Sequence, residues 1–194
     1  MNIHGIIEAL EAVAIIALLL ISTKLYRLAF KDQLTDLWNS RYLYKKGQGL
    51  IDSWAKKNLL ACVFFIDLDN LGLINNAFSH DVGDLALKKI ADTLINLFSK
   101  KQLIARRSGD EFIIVTNFSS FKSLLTAEIS LKAKLSDMQI EWHEKGIPKS
   151  QNISATYGLI WGSAKMETFS QLMDNADRMM LHDKKLRTQK KAGA

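Results

Sequence analysis

The chain has almost no cysteine and almost no proline: Cys62 and Pro148 stand alone among 194 residues. A single thiol rules out an intramolecular disulfide, and Cys62 lies inside an apolar run, where it acts as a small hydrophobe. His4, His80, His143 and His182 are the only histidines. They show no metal-ligand spacing, so no zinc site is read. No Gly/Ser-rich tract, low-complexity segment or internal repeat breaks the chain, so neither a flexible linker nor a solenoid is expected. There is also no basic stripe interleaved with aromatics and no nucleic-acid motif. The net charge of +6 is therefore not read as a nucleic-acid footprint. It suits a polyanionic substrate or an anionic membrane face instead. The length fits one domain of about 150–160 residues, large enough for a real core, plus an N-terminal extension.

Apolar sequence is abundant at the N-terminus. Ile3 to Ile21 is interrupted only by His4, Glu8 and Glu11 among the polar side chains, and Lys24, Arg27 and Lys31 follow. A bilayer takes about 20 helical residues. A span from Ala12 to Phe30 leaves both glutamates at the far interface and lets Lys24 and Arg27 snorkel. A span from Ile3 to Ile21 would bury both glutamates at greater cost. Glu8 and Glu11 share a helix face and are read as marking the water interface. With no basic n-region and no small-x-small site, a cleaved signal peptide fits poorly. A soluble amphipathic helix is the other reading. Positive charge after the run places the remainder in the cytoplasm. The expected organisation is a single-pass inner-membrane protein. Residues 1–31 form the anchor and juxtamembrane segment, and 32–194 form one cytoplasmic domain. The helix is expected to continue through Lys31 into the next motif without a flexible joint.

Two segments carry carboxylates at strand ends. Leu60–Ile66 is a continuous apolar run, read as a buried strand, and it ends in Asp67-Leu68-Asp69. Leu103–Arg107 and Glu111–Thr116 flank Ser108-Gly109-Asp110, and Gly109 permits a tight turn. Together they place acids from distant sequence at one strand edge. A divalent cation relieves the repulsion between such acids, as in a palm-type nucleotidyl transferase. The remaining pattern predicts helices over Ser40–Lys57, Leu71–Phe78, Gly83–Lys100, Ser119–Ser136 and Thr168–Arg187. It predicts strands near Met138–His143 and over Asn152–Trp161, with a turn at Gly146-Ile147-Pro148. The fold class is α/β (α+β): a mixed, largely antiparallel ferredoxin-like palm sheet preceded by one membrane helix.

Ser108-Gly109-Asp110-Glu111-Phe112 resembles the signature of the GGDEF family, the diguanylate cyclases. Asp32-Gln33-Leu34-Thr35-Asp36-Leu37-Trp38-Asn39-Ser40-Arg41 resembles the family's opening motif, and Asp67 to Asp84 its metal-and-guanine segment. Ile153–Gly158 resembles its last core strand. Ala176-Asp177 with Lys184 resembles its C-terminal helix. The resemblance covers residues 32 to 188. It implies condensation of two GTP into cyclic di-GMP and two pyrophosphates by a homodimer, with Mg²⁺ or Mn²⁺. By matching position, Asp67, Asp110, Glu111 and the Leu68 carbonyl would hold metal. Asp110 and Glu111 would be catalytic, Glu111 through the second metal or the 3′-OH. Asn75 and Asp84 would read guanine, Gly109 would admit the nucleotide, and Lys184 would bind phosphate.

Each residue also has a plainer reading. Asp69 can cap the turn after its strand, Asp84 can be a helix N-cap, His80 can pack a loop, and Lys184 can be a surface lysine. The chain departs from the family's pattern in several places. Gly72 and Thr188 stand where a phosphate-binding lysine and arginine are usual, with Lys185 and Arg187 beside the latter. Asn70 replaces a bulky residue, and Ser108 and Ser79 replace glycines. Ser99-Lys100-Lys101-Gln102 replaces the Arg-x-x-Asp of product inhibition, so feedback through that site is not expected. The alternative to a cyclase is a weak or inactive GGDEF-like module that binds GTP or a protein partner. A related palm enzyme making a different nucleotide product is a third reading.

Overall fold

The computed structural model describes residues 3–98 and 102–192. Its elements run α1 (Ile3–Phe30), β1 (Trp38–Asn39), α2 (Ser40–Ala55), β2 (Leu60–Leu68), α3 (Leu71–Ala77), α4 (His80–Phe98), β3 (Leu103–Ser108), β4 (Glu111–Phe118), α5 (Phe121–Ser136), β5 (Met138–Glu144), β6 (Ile147–Ile153), β7 (Ala155–Ser163) and α6 (Phe169–Ala192). Five strands form one sheet in the order β1-β3-β4-β2-β7. Only the β1–β3 pair is parallel. The strands β3-β4-β2-β7 have the ferredoxin-like order, with β1 added at one edge. The fold is thus mixed α/β, as the sequence implies.

β2 is apolar from Leu60 to Ile66 because both its faces are covered. Phe64, Ile66 and Leu68 pack with Ile90 and Leu94 of α4. Val63 and Phe65 pack on the other face with Leu43 and Ile51 of α2 and Leu172 and Met173 of α6. Side chains alternate along a strand, so Asp67 shares the α2/α6 face with Phe65.

Several boundaries differ from those expected. β6 was not anticipated, because Pro-Lys-Ser-Gln-Asn has no apolar alternation. It pairs with β5 in a separate two-stranded sheet, where most of it is exposed. Asn152 and Ile153 accordingly belong to β6, and the last core strand begins at Ala155. The turn is made by Lys145 and Gly146, with φ of 51° and 78°, and Ile147 and Pro148 already lie in the strand. α4 starts at His80 rather than Gly83, since Ser79 Oγ caps it by accepting from Val82 N–H at 3.3 Å. His80 is therefore an exposed first-turn residue and not a loop-packing one.

α1 ends at Phe30 rather than running into the Asp32 motif. The Asp32 carboxylate draws the chain into a turn, accepting from Thr35 N–H at 2.9 Å and Thr35 Oγ1–H at 2.7 Å. Asp36 takes a left-handed φ of 54° in that turn. The joint is nonetheless tied down. Arg27 pairs with Asp36 at 2.8 Å, and Asn39 Nδ2 donates to the Ala29 carbonyl at 3.0 Å. Tyr26, Phe30, Trp38 and Tyr42 form a ring cluster at the helix end. Leu10–Phe30 is long and apolar enough to cross a bilayer, and its apolar side chains are unburied.

Two stability outcomes follow from this packing. A Cβ on Gly158 would stand 2.1 Å from the Ala176 carbonyl oxygen and 2.4 Å from Met180 N, so backbone on both sides would have to move. Gly158→Ala should cost about 1–3 kcal/mol in urea denaturation. At Asp32, burial alone would raise the carboxyl, but hydrogen bonds from Thr35 and the Arg106 guanidinium outweigh it and hold it below 3.8. A carboxylate with a depressed folded value contributes stability above its unfolded value and loses it in acid. Asp32→Asn should destabilise the chain at neutral pH. The difference from wild type should shrink as pH falls below 3.8 through the lower folded value.

Candidate active site

β2 carries Asp67 to the edge of the sheet, where it is 7% exposed. Directly across the antiparallel ladders lie Glu111 of β4 and Thr156 of β7. The β3–β4 turn places Gly109 at φ 40°, a value that favours glycine. Leu68 N–H donates to the Asp110 carbonyl at 3.0 Å, joining the turn to the end of β2. The fold thus brings Asp67, Leu68, Gly109, Asp110 and Glu111 together.

The electrostatics at this edge are strained by like charge. Burial raises the Asp67 carboxyl, and Asp110 and Asp69 add to the rise, while Lys184 opposes it. Lys184 reaches in from α6, and its Nζ donates to Asp67 Oδ1 at 2.5 Å. Lys184 is therefore no idle surface lysine, yet it contacts a carboxylate where the sequence led us to expect a phosphate ligand. Glu111 Oε2 accepts from Arg107 Nη1 at 2.7 Å and from Ser108 Oγ at 2.6 Å. The hydroxyl that Ser108 brings in place of glycine is thus spent on Glu111. Arg107 Nε also donates to Tyr44 OH at 3.2 Å, bracing this corner against α2.

Asp69 does not cap its turn. Its two oxygens accept from Ser154 Oγ and Thr156 Oγ1, both at 2.7 Å, and its N–H donates to the Ser154 carbonyl at 2.9 Å. It ties β2 to β7 and has little capacity left for an ion. No group of three or more His, Cys, Asp or Glu side chains arranged for a metal occurs among the described residues. The available donors are the Asp67 and Asp110 carboxylates and the Leu68 carbonyl. This set fits a hard dication of the magnesium type, which uses one or two carboxylates and completes its shell from phosphates and water.

Asn75 and Asp84 lie on α3 and α4, which pack against each other. Asp84 sits within α4, so the N-cap reading falls. Asn75 Oδ1 is buried without any hydrogen-bond partner, and a Cβ on Gly83 would come within 1.9 Å of it. Gly83 therefore makes room for the amide. A buried, unpaired carbonyl oxygen is costly, and a ligand donor would satisfy it.

The departures also find places. Asn70 has a φ of 61°, which asparagine tolerates better than a bulky residue does. Gly72 is exposed, with nothing within 4 Å of where a Cβ would be. Arg187 Nε donates to Asp183 Oδ2 at 2.7 Å. That pair lines a cavity of about 330 Å³ with Glu128, Tyr157 and Trp161, a lining that does not include Lys184. In that cavity Tyr157 is pushed up to about 12 by burial and Glu128. Arg187 therefore gives no sign of replacing the missing arginine. Ser99, Lys100, Lys101 and the Thr188 side chain lie outside the described residues. Sequence reasoning missed Gly158, Tyr44, Arg106 and Arg107. Arg106 Nε donates to the Gly109 carbonyl at 2.9 Å, and its Nη1 reaches Asp32 at 3.2 Å. The two adjacent arginines beside an acidic turn were the available signal.

The open space at Gly72 supports one substitution. Should the site take a guanine nucleotide, Gly72→Lys is expected to fold normally and to tighten its binding about tenfold, as a charge-assisted hydrogen bond would. Equilibrium dialysis with labelled nucleotide reads this, and unchanged affinity would show that position 72 does not face the phosphates.

Comparison with known proteins adds the lineage. The family described as "Diguanylate cyclase, GGDEF domain" matches residues 29–190. The chain is 30% identical over 179 residues to the bifunctional diguanylate cyclase/cyclic di-GMP phosphodiesterase MucR of Pseudomonas aeruginosa, covering 92% of this chain and 25% of that protein. It is 31% identical over 118 residues to the diguanylate cyclase DgcP of Escherichia coli, covering 58% of this chain and 35% of that one. The chain thus spans about a quarter to a third of the length of these relatives. The coiled coil and GGDEF domain of DgcB from Caulobacter crescentus, solved with c-di-GMP, superimposes with a TM-score of 0.82 over 95% of both chains. At 16% identity this is a likeness of fold. Matched over most of its length, with the signature turn joined to the Asp67 strand, this chain belongs to the GGDEF diguanylate cyclase family.

Proposed function

We propose that the chain is a membrane-anchored diguanylate cyclase that joins two GTP into cyclic di-GMP and two pyrophosphates as a homodimer. The observation that carries this reading is the meeting of Asp67, Leu68 and Asp110 at one sheet edge through the Leu68–Asp110 backbone bond. The unpaired Asn75 amide oxygen beside Asp84's helix supports it. One domain supplies half of a two-nucleotide reaction. Each ribose 3′-OH attacks the α-phosphate of the facing nucleotide, forms a P–O bond and expels pyrophosphate.

Asp84 would accept from guanine N1–H and N2–H₂, and Asn75 would bond the purine edge. Adenine offers no such donor pair, so Asp84 would set the choice of base. Gly109 would let the backbone approach the nucleotide, and Lys184 would meet the phosphates. Glu111 would serve the 3′-OH end, held by Arg107 and Ser108. Asp67, Asp110 and the Leu68 carbonyl would hold a divalent cation, Mg²⁺ or Mn²⁺, which when bound offsets the charge developing on the phosphates.

Residues 1–31 would anchor the chain in the inner membrane, and 32–194 would form the cytoplasmic catalytic domain. The exposed apolar surface of Leu10–Phe30 supports that division. A second α1 from the partner would bring two domains face to face. DgcB, solved with its coiled coil, offers a precedent for such a helix. A second reading, a GGDEF-like module that binds without turning over, is favoured by Gly72, Ser108 and Thr188.

The test is GTP turnover by the full chain in detergent with Mg²⁺ or Mn²⁺. Cyclic di-GMP from wild type and none from Asp110→Ala/Glu111→Ala supports the cyclase. No product from folded dimer at saturating GTP moves the assignment to the binding module. Asp84→Ala should remove the preference for GTP over ATP, and a retained preference would defeat the guanine reading. Recovery of the full chain in the soluble fraction after lysis would defeat the membrane anchor.

A further inference from the structure

We propose that Lys184 occupies the cation position in the free protein, so that the site takes up a divalent ion only together with a nucleotide triphosphate. The inference rests on the nucleotide-site reading above and adds an order of assembly to it. Lys184 Nζ lies 2.5 Å from Asp67 Oδ1, an oxygen that an entering ion would need. The Asp67 side chain is 10% exposed and that of Lys184 39%. The ammonium therefore reaches inward from a wetter position to a drier one.

An ion arriving alone meets an unfavourable arrangement. It finds two carboxylates and one carbonyl, with no cluster of three acidic or imidazole ligands among the described residues. It also finds a resident positive charge in contact with one of those carboxylates. Two cations on one carboxylate repel each other strongly where water is scarce. Lys184 cannot withdraw with its helix. Gly158 brings α6 so close to β7 that a Cβ there would stand 2.1 Å from the Ala176 carbonyl oxygen. Only the side chain can move, and a second anion would draw it off Asp67. A triphosphate supplies that anion and fills the remaining positions around the ion. Nucleotide and ion then favour each other's binding through the displacement of one ammonium. Such coupling is reciprocal and typically five- to 150-fold, so about tenfold is expected here.

Arg107 stands on Glu111 in the same manner, at 2.7 Å. Both carboxylates on the α2/α6 face of this edge thus carry a resident cation before any ion arrives.

The experiment uses the full chain in detergent, with Mn²⁺ binding read by electron paramagnetic resonance. Mn²⁺ is titrated alone and then with 3′-deoxy-GTP, which lacks the attacking hydroxyl. Wild type should bind Mn²⁺ about tenfold more tightly with nucleotide than without. Lys184→Met, similar in length but uncharged, should shift the two affinities in opposite directions. Mn²⁺ alone should bind more tightly, and Mn²⁺ with nucleotide more weakly. A lysine with only a structural role would lower both or neither. Lys184→Arg keeps the cation and should keep Mn²⁺-alone binding weak. Arg187→Gln, one turn away and paired with Asp183, should leave both affinities as in wild type. Equal Mn²⁺ affinity with and without nucleotide in wild type overturns the proposal, and so does weaker Mn²⁺-alone binding in Lys184→Met. Absence of Mn²⁺ uptake even with nucleotide overturns it too. If the methionine variant does not fold, the wild-type coupling and the arginine variant still decide. Intact coupling without cyclic di-GMP would sink the cyclase assignment and leave this proposal standing.

Discussion

A single backbone hydrogen bond, from Leu68 N–H to the Asp110 carbonyl, fixes the relation between the central strand and the signature turn. Without it, the tip would be held only through Glu111 in the β2–β4 ladder and the Arg106 bond to the Gly109 carbonyl. With it, the tip becomes an extension of β2, the most thoroughly buried strand of the sheet. The precision of the acidic edge is therefore inherited from the hydrophobic core. Phe64, Phe65 and Ile66 position Asp67 and Leu68, and these position Asp110.

Around that suture the chain distributes work unequally among its acids. Asp69, two residues from Asp67, has both oxygens saturated by hydroxyls and serves as a tie between strands. Asp67 is held by one lysine and crowded by neighbouring charge, a state that the fold tolerates at some cost. Buried charges of this kind persist where packing around them is strong, and they cluster at sites that do chemistry. The contrast between the two aspartates is set by what reaches each: hydroxyls of Ser154 and Thr156 at Asp69, and the Lys184 ammonium at Asp67.

Much of this was legible in the residues. The uninterrupted run Leu60–Ile66 identified the central strand, because a strand covered on both faces cannot alternate. The acidic turn after Gly109 was legible because few residues adopt its backbone angle. The roles of Asp69 and Lys184 were harder to read, since both depend on side chains brought from more than 80 positions away. β6 escaped notice because an exposed hairpin strand needs no apolar pattern, only a partner across the turn. Ser79 looked like a loss of glycine, yet it gains a cap for α4. The end of α1 was misplaced because Lys31 and Asp32 are compatible with helix, and only the bonds from Thr35 to Asp32 turn the chain aside.

Arg106 gives the molecule a further property. It touches Asp32 at one end and the Gly109 carbonyl at the other, and Asp32 lies two residues beyond the end of α1. Helix, turn, guanidinium and hairpin tip therefore stand in series with no slack element between them. In such a chain of contacts the angular register of α1 is a design variable. One residue added within the helix turns everything before it by about 100° relative to the acidic edge. The direction in which α1 faces is thereby geared to the direction in which the hairpin faces. Natural variation in the length of this segment would then be constrained in steps that restore the helical phase, even where the individual residues are freely exchangeable.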